Sequence, residues 1–370
     1  MKVVFLAAAS SIHAVRWVNA LACAGVRVVL VSQHDPLQEL VEAATLRKLP
    51  YSGEAGYFRN VGKLSAILRE EQPDLLSVHY ASGYGTTARL SGFQPTLLSV
   101  WGSDVYDFPT RSTIHRWWLR GNLVAAIRVA STSHAMAEQV RLVAPSLEQI
   151  AITPFGVETE RFTPCFREPA SSDDPVVIGT VKGLKKIYGI DILLDSAAML
   201  MERLRRNEPC LARRLRVKIV GDGPQKDELI AQAAELGIDD VVQFTDRVNH
   251  DSVPDVLHQL DAYVALSRSE SFGVAVIEAS ACGLPVVVSE AGGLPEVVVD
   301  GQTGFVVPRE NPEAAADALY KLVLDADLRR RMGEAGRQRV ISLYEWKNNV
   351  RQMIDLYEDV IKTTGNARFL

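Results

Sequence analysis

The sequence predicts an α/β protein made of two doubly wound parallel sheets, and three features of its patterning carry that reading. Short apolar runs alternate with amphipathic segments through the first half, the rhythm of strands each followed by a covering helix. The same rhythm restarts after residue 175. Between them, residues 153–175 are rich in proline and break both the helical and the strand period. At 370 residues the chain is long enough for two domains of about 150 residues, each with its own core.

In the first half, residues 3–8, 26–32, 75–79, 96–100 and 128–131 read as strands, with helices over 15–24 and 61–70. In the second half, strands are expected over 176–180, 216–220, 241–244, 261–266 and 285–288, and helices over 189–206, 225–236 and 274–282. A last helical pattern runs from 346 to 362. The expected division is 1–165, 175–345 and a C-terminal segment 346–370 that packs back toward the first domain. The opening ten residues have one Lys, an apolar run and small residues, as a secretory leader does, but they continue better as a first strand and helix.

Composition narrows the function classes. Forty Lys and Arg against forty-five Asp and Glu give a net charge of −5, which supplies no field for a polyanion, so nucleic acid is not an expected partner. The four cysteines, Cys23, Cys165, Cys210 and Cys282, are widely spaced with no C-x-x-C, as in a reduced, cytoplasmic chain. No apolar stretch reaches the ~18 residues of a membrane span, so any membrane contact is expected to be peripheral.

In open α/β sheets ligands bind beyond the carboxyl ends of the strands, so two such domains are expected to share a site in a cleft. The segment 266–308 carries the most chemistry. Ser269 and Ser271 suit helix N-capping, which would leave the amides near Phe272 and Gly273 to face an anion. Glu270 precedes that helix, and Glu278 is expected about two turns inside it, where one carboxylate can meet a sugar and the other a ribose. Glu278 reads either as a solvated helix residue or, among Val276, Ile277, Ala279 and Ala281, as a buried carboxylate that requires a partner.

Glu270-Ser-Phe-Gly-Val-Ala-Val-Ile-Glu278 resembles the E-x7-E motif of retaining family 4 glycosyltransferases, which have the GT-B fold of two Rossmann-like domains facing across a cleft. Pro154-Phe-Gly-Val-Glu-Thr-Glu-Arg-Phe-Thr-Pro164 resembles the family's linker signature, and Val220-Gly-Asp-Gly-Pro224 its donor-domain turn. Gly292-Gly-Leu-Pro-Glu296 and Asp300-Gly-Gln-Thr-Gly304 resemble its closing loops. The resemblance implies transfer of a sugar from a UDP- or GDP-sugar to a glycan or lipid-linked acceptor, with retained configuration, no cofactor and no required metal. It also implies a role in cell-envelope polysaccharide or lipopolysaccharide assembly. A nucleotide-sugar epimerase or sugar phosphorylase of the same fold is the alternative, and a two-lobed sugar-binding protein is a third class.

By the same resemblance Glu270 contacts the donor sugar, and Glu278 the ribose. Ser271, Phe272, Gly273, Val274, Gly221, Gly223, Gly292 and Gly293 approach phosphate or sugar, and Arg247 and Val248 the base. Lys182 and Lys186 are the expected diphosphate cations, Lys182 standing where Arg is frequent in the family and Tyr188 where Lys is frequent. Without a metal, leaving-group charge falls to such cations and to backbone donors. On the acceptor side the candidates are Ser11, His13, Arg16, Trp101, Asp104 and His134. His13 reads either as a group that orients an acceptor or as a satisfied surface histidine. Trp101-Gly-Ser-Asp104 resembles the family's His-Gly-Ser-Asp with Trp in the His position, leaving Asp104 and His13 as further catalytic candidates beside Glu270 and Lys182.

Three further patterns are weaker. Ile114, Trp117 and Trp118 share a helical face among Arg111, Arg116 and Arg120, which suits either core packing or peripheral contact with an anionic membrane. Gly83-Tyr-Gly85-Thr-Thr-Ala88 formally fits a dinucleotide fingerprint, but it follows a later strand. Asp325-Ala-Asp327 is a D-x-D remote from the glycine-rich loops and is not expected to hold a metal.

Overall fold

The computed structural model of the chain describes residues 1–36, 40, 42–165 and 174–367, with side chains through 364. Residues 166–173 of the expected linker and 368–370 of the expected C-terminal segment lie outside the described residues. The chain divides into two compact units, Met1–Pro154 with Lys347–Leu370, and Phe155–Trp346.

The first unit holds seven parallel strands: β1 (Lys2–Leu6), β2 (Arg27–Ser32), β3 (Ala44–Lys48), β4 (Leu75–His79), β5 (Thr96–Val100), β6 (Arg128–Ser131) and β7 (Ile150–Ile152). Their order is β3-β2-β1-β4-β5-β6-β7. Val3 to Leu6 of β1 are fully buried between β2 and β4, because a parallel strand covered by helices on both faces reads as a continuous apolar run. β3 and β7 have no counterpart in the expected strands. β3 is an edge strand, Ala-Thr-Leu-Arg-Lys, whose polar and charged residues suit an unpaired edge and hide it from a search for apolar runs. From Lys347 onward the helix Trp346–Ala367 completes this unit. Tyr357 is fully buried there with its hydroxyl 2.9 Å from Ser77 Oγ, and Asn349 Nδ2 donates to the Pro154 carbonyl at 3.1 Å.

The second unit repeats the plan with β8 (Val176–Val181), β9 (Leu215–Val220), β10 (Val242–Thr245), β11 (Ala262–Ala265), β12 (Val286–Ser289) and β13 (Gly304–Val307). The order is β10-β9-β8-β11-β12-β13, all parallel. The helix Ile190–Asn207 buries Ile190, Leu193, Leu194, Ala197, Leu200, Met201 and Leu204, a 3.6-residue stripe set against the sheet. β13 is an addition to the expected strands. Gly304 at its start lets it approach β12, since a Cβ there would strike the Val286 carbonyl. Within this unit Phe155–Val157 and the stretch before Lys347 run together, Val157 N–H donating to Tyr344 O at 2.8 Å and Trp346 N–H to Val157 O at 3.0 Å.

Candidate active site

The strand order of the second sheet reverses between β8 and β11, so the loops leaving their carboxyl ends diverge and open a crevice. Lys182 follows β8 directly, and Glu270 lies in the loop after β11. Lys182 Nζ is 2.5 Å from Glu270 Oε2, with both side chains largely buried at 12% and 13% exposure. Burial alone would lower the Lys182 pKa. The Glu270 carboxylate, with the hydroxyls of Tyr263 and Tyr188, overrides it and holds the amine above its ordinary value. The ammonium also sits 4.7 Å from the Tyr188 ring centroid, and Tyr263 OH donates to Val181 O at 3.2 Å. A fixed cation beside a carboxylate at a switch point is suited to a ligand that is anionic at one end and rich in hydroxyls at the other.

Glu278 is the second carboxylate of the crevice. It lies on the helix Val274–Ala281, is 6% exposed, and has Oε1 2.9 Å from His250 Nε2. The helix starts at Val274, so Glu278 is one turn inside it rather than two. Ser269 and Ser271 do not cap it; Gly273 occupies the cap position at φ +112. The Phe272 side chain is 2% exposed and packs against Phe155 and Tyr344, with ring centroids 6.2 and 5.5 Å away, so only its backbone is left for a ligand.

The glycines expected to approach phosphate instead bring the loops onto each other. A Cβ on Gly292 (φ +51) would collide with the Glu270 carbonyl, and Gly293 N–H donates to that same oxygen at 3.0 Å. Gly221 abuts the Lys182 carbonyl and Gly223 the Leu184 carbonyl in the same way. Lys182 and Glu270 are therefore each held in place by a glycine of a neighbouring loop.

Lys186 is not a free cation. Its Nζ lies 2.5 Å from Asp191 Oδ2, and Arg268 grips the same carboxylate through two bonds of 2.9 Å while donating to Lys186 O at 2.7 Å. Burial pushes the Asp191 pKa up, but the Arg268 and Lys186 hydrogen bonds prevail and bring it down to about 2. This clamp fastens the loop after β8 to the loop after β11. Sequence reasoning missed Arg268, Asp191, His250 and Tyr263. The one cue was the position of Asp191 in the first turn after Gly189, a place that also favours any carboxylate. Arg247 is exposed and Val248 half-buried in the loop after β10, and Ser271 and Val274 are half-buried.

The first unit holds the acceptor-side candidates. Asp104 is fully buried. Its Oδ2 accepts from Ala81 N–H at 2.7 Å, and its Oδ1 from Gly102 at 2.8 Å and Trp101 at 3.2 Å. Burial raises its pKa against the pull of those amides. The carboxylate that was expected to be catalytic is thus a brace for the turns after β4 and β5. His13 and Trp101 are half-buried with ring centroids 6.3 Å apart, and Trp101 also meets His79 at 4.9 Å. Ser11 and Arg16 are half-buried at the start of the helix Ile12–Cys23, and His134 is exposed at the first residue of the helix His134–Val143.

The aromatic pair separates. Ile114 and Trp117 are 72% and 67% exposed, whereas Trp118 turns inward, its Nε1 donating to Thr86 Oγ1 at 2.8 Å beneath the Arg89 guanidinium. Gly83 rests against the Tyr57 ring and Gly85 against Leu98 and Asn122, so these glycines serve helix packing. Asp325 caps the helix Ala326–Tyr344, and Asp327 pairs with Arg330. Among the described residues no three His, Cys, Asp or Glu side chains form a metal-holding group, and no helix is long and apolar enough to cross a membrane.

Residues 163–339 match the family model for glycosyl transferases group 1, and residues 2–133 the model for glycosyl transferase 4-like domains. A D-inositol 3-phosphate glycosyltransferase of Saccharomonospora viridis is 32% identical over 63% of this chain and 55% of its own length. The chain therefore spans only about half of that relative. An N-acetyl-alpha-D-glucosaminyl L-malate synthase of Bacillus anthracis is 26% identical over 83% of this chain and 80% of its own. Among solved structures, Anabaena HepE in complex with UDP superposes with a TM-score of 0.79 at 18% identity, over 97% of this chain and 100% of that one, which shows a shared GT-B fold.

Proposed function

Since the chain belongs to the group 1, family 4-like glycosyltransferases of GT-B fold, we propose that it is a retaining enzyme that moves a sugar from a nucleoside diphosphate sugar to a glycan or lipid-linked acceptor. The observation that carries the proposal is the convergence of Lys182, Glu270 and Glu278 on the switch-point side of one sheet, each partly buried and each on a different loop or helix.

In this reading Glu278 takes the ribose and Glu270 the hydroxyls of the donor sugar. The Lys182 ammonium faces the charge that develops on the departing diphosphate, the role in which a fixed cation lowers a barrier most. The acceptor hydroxyl attacks from the side of the leaving group. Its proton passes to the departing phosphate as the new glycosidic bond forms, so configuration is retained without a protein nucleophile. Charge balance at the diphosphate is met by Lys182 and backbone N–H groups, and the reaction is expected to run in the presence of a chelator.

The exposed Ile114 and Trp117, with exposed Arg116 and Arg120 beside them on the helix Thr113–Ala125, support a peripheral contact with anionic lipid. That contact suits a lipid-linked acceptor and fits a role in cell-envelope polysaccharide assembly.

The test is calorimetric titration of UDP, GDP and ADP into the wild type and Glu278→Ala without added metal, followed by product analysis with the matching nucleotide sugars. UDP comes first because a structural neighbour is crystallised with it. Binding of one nucleotide, weakened in the variant, and a product of retained anomeric configuration support the proposal. Binding of none overturns it, and an epimerised donor or a free sugar phosphate transfers the assignment to the alternative enzymes of this fold.

A further inference from the structure

A buried carboxylate normally collects several hydrogen bonds, because it has room for about four and is costly to leave short of partners. Glu278 is 6% exposed, yet among the described residues it has a single polar contact, His250 Nε2 to Oε1 at 2.9 Å. A carboxylate can only accept, so in this contact the imidazole carries its proton on Nε2 and donates. The helix around Glu278 offers nothing else: Val276, Ile277, Ala279, Ser280 and Ala281 are all buried with it. Oε2 is left with its accepting capacity unspent.

His250 is itself held from behind. It opens the short 3-10 turn His250–Ser252, and its carbonyl accepts from Arg161 Nη2 at 2.7 Å. The same nitrogen bonds Asp251 Oδ1 at 2.7 Å, and the imidazole lies 5.7 Å from the ring of the fully buried Phe162. The imidazole is thus fixed through its backbone and its ring, and Glu278 is fixed through the imidazole.

We propose that His250 is the positioning residue for ribose recognition: its Nε2–H holds Glu278 Oε1 so that Oε2 is aimed to accept from the vicinal hydroxyls of the nucleotide. The inference rests on the reading of Glu278 as the ribose carboxylate. It adds a residue that touches no substrate and that no feature of the sequence singled out. Preference for ribo over deoxyribo ligands then depends on a histidine that lies 28 residues upstream of the carboxylate it serves.

Calorimetry of UDP and GDP, each beside its 2′,3′-dideoxy form, would be run on the wild type, His250→Phe and His250→Gln. Phe keeps the ring and its contact with Phe162 but removes the donor; Gln restores an N–H donor. The wild type is expected to prefer the ribonucleotide by at least about tenfold, as for a hydrogen-bonded charged group. His250→Phe should weaken the ribonucleotide about tenfold and leave the dideoxy form within about twofold, collapsing the preference, and His250→Gln should restore most of it. His250→Asn, polar but too short to reach Oε1, repeats the test should the Phe variant fail to fold. An unchanged preference in His250→Phe or His250→Asn overturns the inference, as does an equal loss for both forms, which would mark a merely structural histidine. A wild type that binds the two forms equally, or binds neither ribonucleotide, instead overturns the ribose assignment of Glu278.

Discussion

The first six strands of the first sheet follow the same order as the six of the second, yet the two sheets treat buried charge in opposite ways. In the first, Asp104 is completely enclosed and both its carboxylate oxygens are engaged, by three backbone amides in all. In the second, Lys182, Glu270 and Glu278 are nearly as buried, but they pair with single side chains and retain hydrogen-bonding capacity. The difference teaches that burial of a charge does not identify a site. A buried charge whose bonds are complete holds the fold together, whereas one left incomplete is poised for a ligand, since the remaining bonds are worth most to whatever supplies them.

The comparison is sharpened most by Lys182→Ala. Loss of a fixed cation at developing charge is expected to lower turnover by about 10²–10³-fold, and a fall of less than tenfold in steady-state kinetics would remove Lys182 from the mechanism. Next in size is Asp104→Ala, which strands three buried amide donors and should cost about 3 kcal/mol in urea unfolding, with nucleotide affinity kept within about twofold. Full stability combined with lost turnover would break the contrast and return Asp104 to a catalytic role. Glu278→Ala should weaken nucleotide binding by about ten- to a hundredfold, and unaltered calorimetry would end its ribose role.

A pH test sets one carboxylate of each unit against the other. Asp191 is held down to about 2 by Arg268 and Lys186 against its burial, so the folded state prefers it ionised. Its contribution is present above the ordinary carboxylate value and lost as pH falls toward 2. Asp104 is raised by burial, so its contribution is present below the ordinary value and lost as pH rises through its raised one. Unfolding free energies from pH 3 to 7 should therefore show the wild type gaining on Asp191→Asn, and losing ground to Asp104→Asn, as pH rises. Slopes of the same sign would contradict the opposed environments. The smallest effect is expected at the surface, where the double variant Ile114→Ser/Trp117→Ser should sediment a few-fold less with anionic vesicles while keeping its melting temperature. Equal sedimentation would dismiss the lipid contact.

Much of the architecture was legible. β1, β4 and β11 are covered on both faces, so their sequences are mostly apolar, with Ser77 and His79 the polar residues buried in β4, and stand out. β3, β7 and β13 escaped notice because they are sheet edges, short or partly polar, and an edge does not require apolar residues on both sides. Glu270, Glu278 and Lys182 were singled out through the motifs they resemble, and the structure pairs Lys182 with Glu270 and Glu278 with His250, whereas the Asp104 carboxylate, singled out in the same way, is engaged by three backbone amides. Nothing in Trp-Gly-Ser-Asp tells whether its carboxylate faces a ligand or three amides. Trp117 and Trp118, adjacent in sequence, were expected to act together; rotation by one residue sends one into solvent and the other to Thr86.

The sequence by itself determined the two α/β units, the helices and most of the strands, and the motif loops, because periodicity and turn chemistry are properties of neighbouring residues. Only the tertiary structure decided which charges meet. The Lys182–Glu270 pair joins residues 88 apart, the Arg268–Asp191 clamp residues 77 apart, and the His250–Glu278 contact residues 28 apart. A hydrogen bond requires atoms within about 3 Å, and distances of that order between remote residues are set by how strands order in a sheet and loops dock on one another, not by any local pattern.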